Sequence, residues 1–169
     1  MLGRSSDHGF HRWAEVKDYT LPGHKLFRSS SPNYLGNDTT QHLEDKDVTF
    51  LVGQEIKHVI SFNQYPYTQA EIHKLDAVNI GYTHLPVQDF TAPSREQLKK
   101  VYEIYTQNTS TLIHCGYGHG RTGTGVTAVQ LYSTQGKNPP EIDWTTVNHV
   151  ERDVQIAVLR ELKKELSGK

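Results

Sequence analysis

Apolar positions along the chain fall into two patterns that alternate: short runs rich in β-branched residues, and longer stretches with helical spacing. LFRSS (26–30), IKHVISF (56–62), GYTHLPV (81–87) and STLIHC (110–115) are of the first kind and predict strands. A helix is expected around 47–54, after a loop-like SPNYLGNDTT. Thr68 and Glu71 have the spacing of a capping box and open a helix that ends near Asn79. Ser94 and Gln97 repeat that spacing after Pro93, and the helix they open carries Leu98, Val101, Tyr102 and Tyr105 on one face. VTAVQLY continues a helix from a glycine-rich run to a stop at Gly136, with Pro139 and Pro140 beyond it. Asp143 is expected to cap a further helix, and VQIAVLRELKKEL (154–166) closes the chain at helical spacing.

The opening up to about Pro22 is polar, with Trp13 as an anchor, and reads as a loosely ordered lead-in. The expected organisation is therefore a lead-in over 1–25 and one domain over 26–169. Strands alternating with helices predict a single α/β domain whose central, mainly parallel sheet is flanked by helices, with ligand sites at the carboxyl ends of the strands.

Composition narrows the partners. Eighteen Lys and Arg stand against 19 Asp and Glu, a formal net charge of -1, with the two signs mixed along the chain. That balance gives no general attraction to nucleic acid or to an anionic membrane, so anion recognition has to be local. MLGRSSDHGFHRW lacks the apolar run of a signal peptide, and no segment reaches the about 18 apolar residues of a membrane span. The expectation is a soluble, cytoplasmic protein without integral membrane association, with secretion by a route lacking a cleavable signal left open. A single cysteine rules out an internal disulfide, so its presence needs another reason.

That cysteine lies in HCGYGHGRTGTG (114–125), where a predicted strand runs into a glycine loop and then a helix. Gly116, Gly118 and Gly120 let the backbone turn sharply and aim successive N–H groups inward, which makes an anion nest at a helix N-terminus. The same field favours thiolate over thiol at Cys115, a nucleophile, and Arg121 supplies a planar fork able to grip two phosphate oxygens. His114, Cys115 and His119 as metal ligands would need further ligands at matched spacing, and none is evident, so no metal or other cofactor is expected. His119 is expected at the mouth of the loop, and Arg28 as a structural ion-pair or hydrogen-bond partner.

HCGYGHGRTG resembles the HCxxGxGRTG signature of the cysteine-dependent protein tyrosine phosphatase superfamily, in its compact, dual-specificity-like form. The resemblance implies that Cys115 attacks phosphorus to give a phosphocysteine while Arg121 and the amides of Gly116, Tyr117, Gly118, His119 and Gly120 bind the phosphate. It implies that Thr122 helps the thiolate leave in the second step and that His114 is a supporting neighbour of the cysteine. LPVQDFTAPS is similar to the loop that carries the general acid, which makes Asp89 the proton donor in step one and the base for water in step two. LFRSSSP and IKHVISFN are similar to elements near the start of atypical members, and Gln155 to a glutamine that positions water in some of them.

The superfamily acts on phosphotyrosine, phosphoserine or phosphothreonine, phosphoinositides and inositol phosphates. Polyanionic substrates reward extra fixed cations beside the nest, whereas this loop carries Tyr117 and His119 and no lysine. A phosphorylated protein is therefore the expected substrate. An inositol phosphate or phosphoinositide phosphatase, and a catalytically silent phosphate-binding module, remain as alternatives.

Overall fold

A computed structural model describes residues 8–168, so the first seven residues of the expected lead-in lie outside the described part. Five strands, β1 (Ala14–Val16), β2 (Lys25–Ser29), β3 (His58–Ser61), β4 (Gly81–His84) and β5 (Ser110–His114), form one sheet in the order β1-β2-β5-β3-β4. β2, β5, β3 and β4 are parallel, and only β1 runs antiparallel, at the edge beside β2. Six helices accompany them: α1 (Asp45–Gly53), α2 (Gln69–Asp76), α3 (Arg95–Gln107), α4 (Gly120–Ser133), α5 (Glu141–Thr146) and α6 (Asp153–Ser167). No helix of the described residues is long and apolar enough to cross a membrane.

Side chains alternate across the sheet as a period of two requires. Val59 and Leu112 enter one core with Leu51 of α1 and Leu75 of α2. Their neighbours Ile60 and Ile113 enter the opposite core with Val101 of α3 and Val126 of α4. Beyond α4, Leu131 packs with Trp144 of α5 and Leu159 and Leu162 of α6. α4 is therefore enclosed on both sides, and its N-terminus lies at the carboxyl end of the central strand.

Both predicted capping boxes form. Thr68 Oγ1 accepts from Glu71 N at 3.1 Å while Glu71 Oε1 accepts from Thr68 N at 2.8 Å. Ser94 and Gln97 exchange the same pair of bonds at 3.1 and 2.9 Å. Two expectations are corrected and a third, the loop before α1, is refined. The lead-in contributes the edge strand β1, and Phe10 within it is fully buried, with Trp13 stacked edge-on to Phe50 at 4.8 Å. The SPNYLGNDTT loop contains a 3-10 turn, Asp38–Thr40, whose Asn37 side chain accepts from Thr39 N. Asp143 lies in the first turn of α5, whose N-cap is Pro140.

β5 ends on the fully buried His114. Its Nδ1 lies 3.2 Å from Cys115 O, an oxygen that can only accept, so Nδ1 carries the proton. Nε2, 2.7 Å from the Tyr67 hydroxyl, is then the acceptor of that O–H. Burial enforces this pairing, since it pushes the Tyr67 phenol well above its ordinary value and pulls His114 down to about 4. An unfolded His114 takes a proton near its ordinary 6.5, whereas the folded one stays neutral until about 4. The stability it contributes is therefore complete above about pH 6.5 and falls away as pH drops towards 4. Urea unfolding at descending pH should lose roughly 3 kcal/mol over that window through this residue, and His114→Asn should flatten the slope by about one proton. A slope unchanged in the variant would contradict the assignment.

Candidate active site

Two loops meet at the carboxyl ends of the strands. One follows β5 and leads through Cys115–His119 into α4, and the other leaves β4 and carries Asp89. In the first loop the carbonyls are held from outside. Gly116 O accepts from Ser31 N at 2.9 Å, Tyr117 O from Arg12 Nε at 2.6 Å, and Gly118 O from Arg28 Nη2 at 3.0 Å. Because C=O and the following N–H point to opposite sides of a trans peptide, the N–H groups of Tyr117, Gly118 and His119 face inward. Gly118 N accordingly donates to Cys115 Sγ at 3.3 Å. Gly118 has φ of +103°, and a Cβ there would stand 2.8 Å from Ser30 N, so the loop can pass this close to β2 only with glycine. Cys115 is 2 % exposed.

Arg121, in the first turn of α4, is 3 % exposed and faces this loop. Asp38 grips it in bidentate fashion, Nη1 to Oδ2 at 2.7 Å and Nη2 to Oδ1 at 2.9 Å. Nη1 also donates to Val87 O at 2.8 Å and to Phe62 O at 3.3 Å. Burial opposes the charge of Arg121, but the Asp38 hydrogen bonds, together with the charges of Cys115, Asp38 and Asp89, raise its pKa above the ordinary value. Burial likewise opposes the Asp38 carboxylate, and the bonds from Arg121 and from Gln64 N bring its pKa below the usual value. Sequence reasoning missed Asp38, which lies 83 positions from Arg121 in a stretch that reads only as a turn.

Asp89 Oδ1 stands 3.3 Å from Arg121 Nη2 and accepts from Phe90 N at 3.0 Å. The start of α6 latches its loop. Gln155 Nε2 donates to Thr91 O at 3.1 Å, and the Arg152 guanidinium lies 4.4 Å over the Phe90 ring. Gln155 Oε1 accepts from the N–H groups of Glu151 and Arg152, both at 3.0 Å, so one end of this buried amide caps α6 while the other holds the loop.

The two loops enclose a small cavity of about 20 Å³ lined by Asp89, Cys115, Tyr117, Gly120, Arg121 and Glu151, among others. Glu151, which the sequence reading passed over, narrows it by accepting from Gly120 N at 3.1 Å. A phosphate seated on the same amide must displace that carboxylate. Thr122 Oγ1 is buried without a hydrogen-bond partner among the described residues. Tyr117 is half exposed at the rim, edge-on to Tyr34, and His119 stacks on His149 at 4.2 Å. Burial, then His149, Arg28 and Arg12, pull His119 down to about 4, which keeps it neutral near pH 7. The arrangement brings together Cys115, Arg121, Asp89 and the loop amides, and no group of three or more His, Cys, Asp or Glu among the described residues could hold a metal ion.

Solved structures share this fold. Kinase associated phosphatase (KAP), with its catalytic-site cysteine substituted by serine, is 20% identical over 86% of this chain and 89% of that one, at a TM-score of 0.66. PTPMT1 in complex with PI(5)P is 18% identical over 89% of this chain and 94% of that one, also at 0.66. The core catalytic domain of the PP-IP phosphatase SIW14 from S. cerevisiae is 16% identical, covering 92% and 91%, at 0.61. No curated protein matches the chain. The family described as PTP-SAK, Swiss Army Knife protein, DSP-PTPase phosphatase domain, matches residues 24–167, nearly the whole chain, and the chain belongs to it.

Proposed function

We propose that this domain hydrolyses phosphomonoesters of protein side chains, phosphotyrosine and phosphoserine or phosphothreonine, through a phosphocysteine. The observation that carries the reading is the convergence of Cys115, Arg121 and Asp89 on one small cavity floored by inward N–H groups. In the first step the Cys115 thiolate attacks phosphorus and the P–O bond to the leaving group breaks. Asp89 gives its proton to the departing oxygen. Arg121 and the loop amides bind the equatorial oxygens, where charge develops in the transition state. In the second step water attacks the phosphocysteine, Asp89 as carboxylate takes the water proton, and the S–P bond breaks to release inorganic phosphate. The unpartnered Thr122 hydroxyl is free to donate to the departing thiolate.

The rim supports a protein substrate. Phe90 at 62 % exposure and Tyr117 at 48 % offer apolar faces beside the cavity, suited to a phosphorylated side chain. Glu151 and Asp89 set two carboxylates at the mouth, an unfavourable neighbourhood for several further phosphates. A second reading, an inositol phosphate or phosphoinositide substrate, is favoured by Arg12 and Arg152 near that rim and by the fold shared with PTPMT1 and SIW14.

With an aryl phosphate, Cys115→Ser should abolish turnover, and Asp89→Asn should lower kcat by about 10²-fold or more. Undiminished activity in the cysteine variant, or phosphopeptide binding by the wild type without phosphate release, would sink the mechanism. Side-by-side rates on phosphotyrosine peptide, phosphothreonine peptide and inositol hexakisphosphate should favour the peptides, and faster turnover of the inositol phosphate would select the second reading. Glu151→Gln should lower KM for the peptides several-fold, because phosphate then meets a weaker competitor for the Gly120 amide. An unchanged KM would mean that the carboxylate leaves at no cost.

A further inference from the structure

The segment before residue 24 lies outside the family match, yet it reaches the phosphate loop. Residues 9–12 run beside residues 30–33. Asn33 N donates to Gly9 O at 2.7 Å, Ser30 N to His11 O at 2.8 Å, and His11 N to Ser30 Oγ at 2.9 Å. Fixed by these bonds, Arg12 takes a left-handed backbone with φ of 56°, an uncommon conformation for a residue with a side chain. The turn sends its side chain across the loop. Nε bonds Tyr117 O, and the guanidinium carbon sits 3.7 Å from the centre of the Tyr117 ring.

Arg28 reaches the next peptide from β2, where it pairs in register with Ala14 of β1. It is buried, it donates to Gly118 O and Asn148 O, and no carboxylate pairs with it among the described residues. Burial pulls its pKa down to about 10, and attraction to Cys115 acts the other way. Two successive carbonyls of the loop are thus each held outward by an arginine. The peptide between Tyr117 and Gly118 is the one whose N–H meets Cys115 Sγ. Gly118, free of a Cβ, resists rotation of its flanking peptides least, and a rotated peptide would turn a carbonyl oxygen towards the bound anion.

We propose that Arg12 and Arg28 are positioning residues that lock these two peptides with their N–H groups inward, so that the N-terminal segment completes the phosphate cradle. The proposal rests on the reading of Cys115 as nucleophile and of its loop as that cradle. Arg28 is too deeply built into the core to test cleanly. Arg12 is exposed, and its removal leaves the packed interior untouched.

The test uses the full chain with Arg12→Met, which keeps an apolar stem over Tyr117 and removes the donor, and Arg12→Lys, which restores a donor. Two readouts need no turnover: the rate of Cys115 alkylation by iodoacetamide at about pH 6, which follows the thiolate population, and the concentration of inorganic phosphate that half-protects against it. Arg12→Met should slow alkylation several-fold and raise the protecting phosphate concentration about tenfold, the scale of one lost charge-assisted hydrogen bond. Its urea midpoint should stay at the wild-type value, and Arg12→Lys should recover most of both effects. Wild-type alkylation and protection in Arg12→Met would overturn the proposal. So would losses that follow a lowered urea midpoint and that lysine does not recover, since these mark a merely structural contact. If the wild type releases no phosphate from an aryl ester while both readouts still respond to Arg12, the functional reading fails and the lock stands.

Discussion

The buried pair between Arg121 and Asp38 is the interaction on which the site depends. Withdrawing a guanidinium and a carboxylate from water costs several kcal/mol for each ion, and a pair with one partner removed leaves an uncompensated charge worth about 3–5 kcal/mol. The protein meets that cost with bidentate geometry and with two backbone carbonyls, Val87 O and Phe62 O, aimed at the same nitrogen. Four segments are joined by these bonds: the start of α4, the 3-10 turn, and the chain just past β3 and β4. The guanidinium is oriented before any anion arrives, which is the condition for electrostatic stabilisation without reorganisation.

Around this clamp the charges are arranged locally, against a chain whose net charge is only -1. Arg28 and Arg12 hold loop carbonyls outward and keep positive charge near the thiol, while His114 and His119 are held neutral by burial near pH 7. The carboxylates stand at the mouth, Asp89 against Arg121 and Glu151 against Gly120 N. α6 connects them, because Gln155 in its first turn donates to Thr91 O in the Asp89 loop and accepts from Glu151 N. An anion that displaces Glu151 therefore acts on the same turn that holds the loop of Asp89.

The strands, the helices of the core and the phosphate loop were legible because their signals are local. Alternating and helical apolar spacing, capping boxes at Thr68 and Ser94, and glycines beside a cysteine and an arginine all act over a few residues. The residues that support the loop left no such mark. Asp38 and Arg12 come from segments that read as turn and lead-in, and long-range bonds of residues 9–12 to residues 30–33 bring the latter beside the loop. β1 escaped notice because three residues at a sheet edge need little apolar pattern. Gln155 was legible as a residue near the site, yet its partner Thr91 lies 64 positions away, and that contact is what makes it a latch.

In the proposed mechanism the phosphoryl group passes through the sulfur of Cys115. Turnover of an aryl phosphate quenched in acid on the millisecond scale, followed by proteolysis and mass spectrometry, tests it most directly. A phosphoryl group is expected on the peptide that contains Cys115, attached at sulfur and lost when turnover is allowed to finish. An active enzyme whose phosphoryl group sits on another residue, or which releases phosphate with none on Cys115 at any quench time, would contradict it.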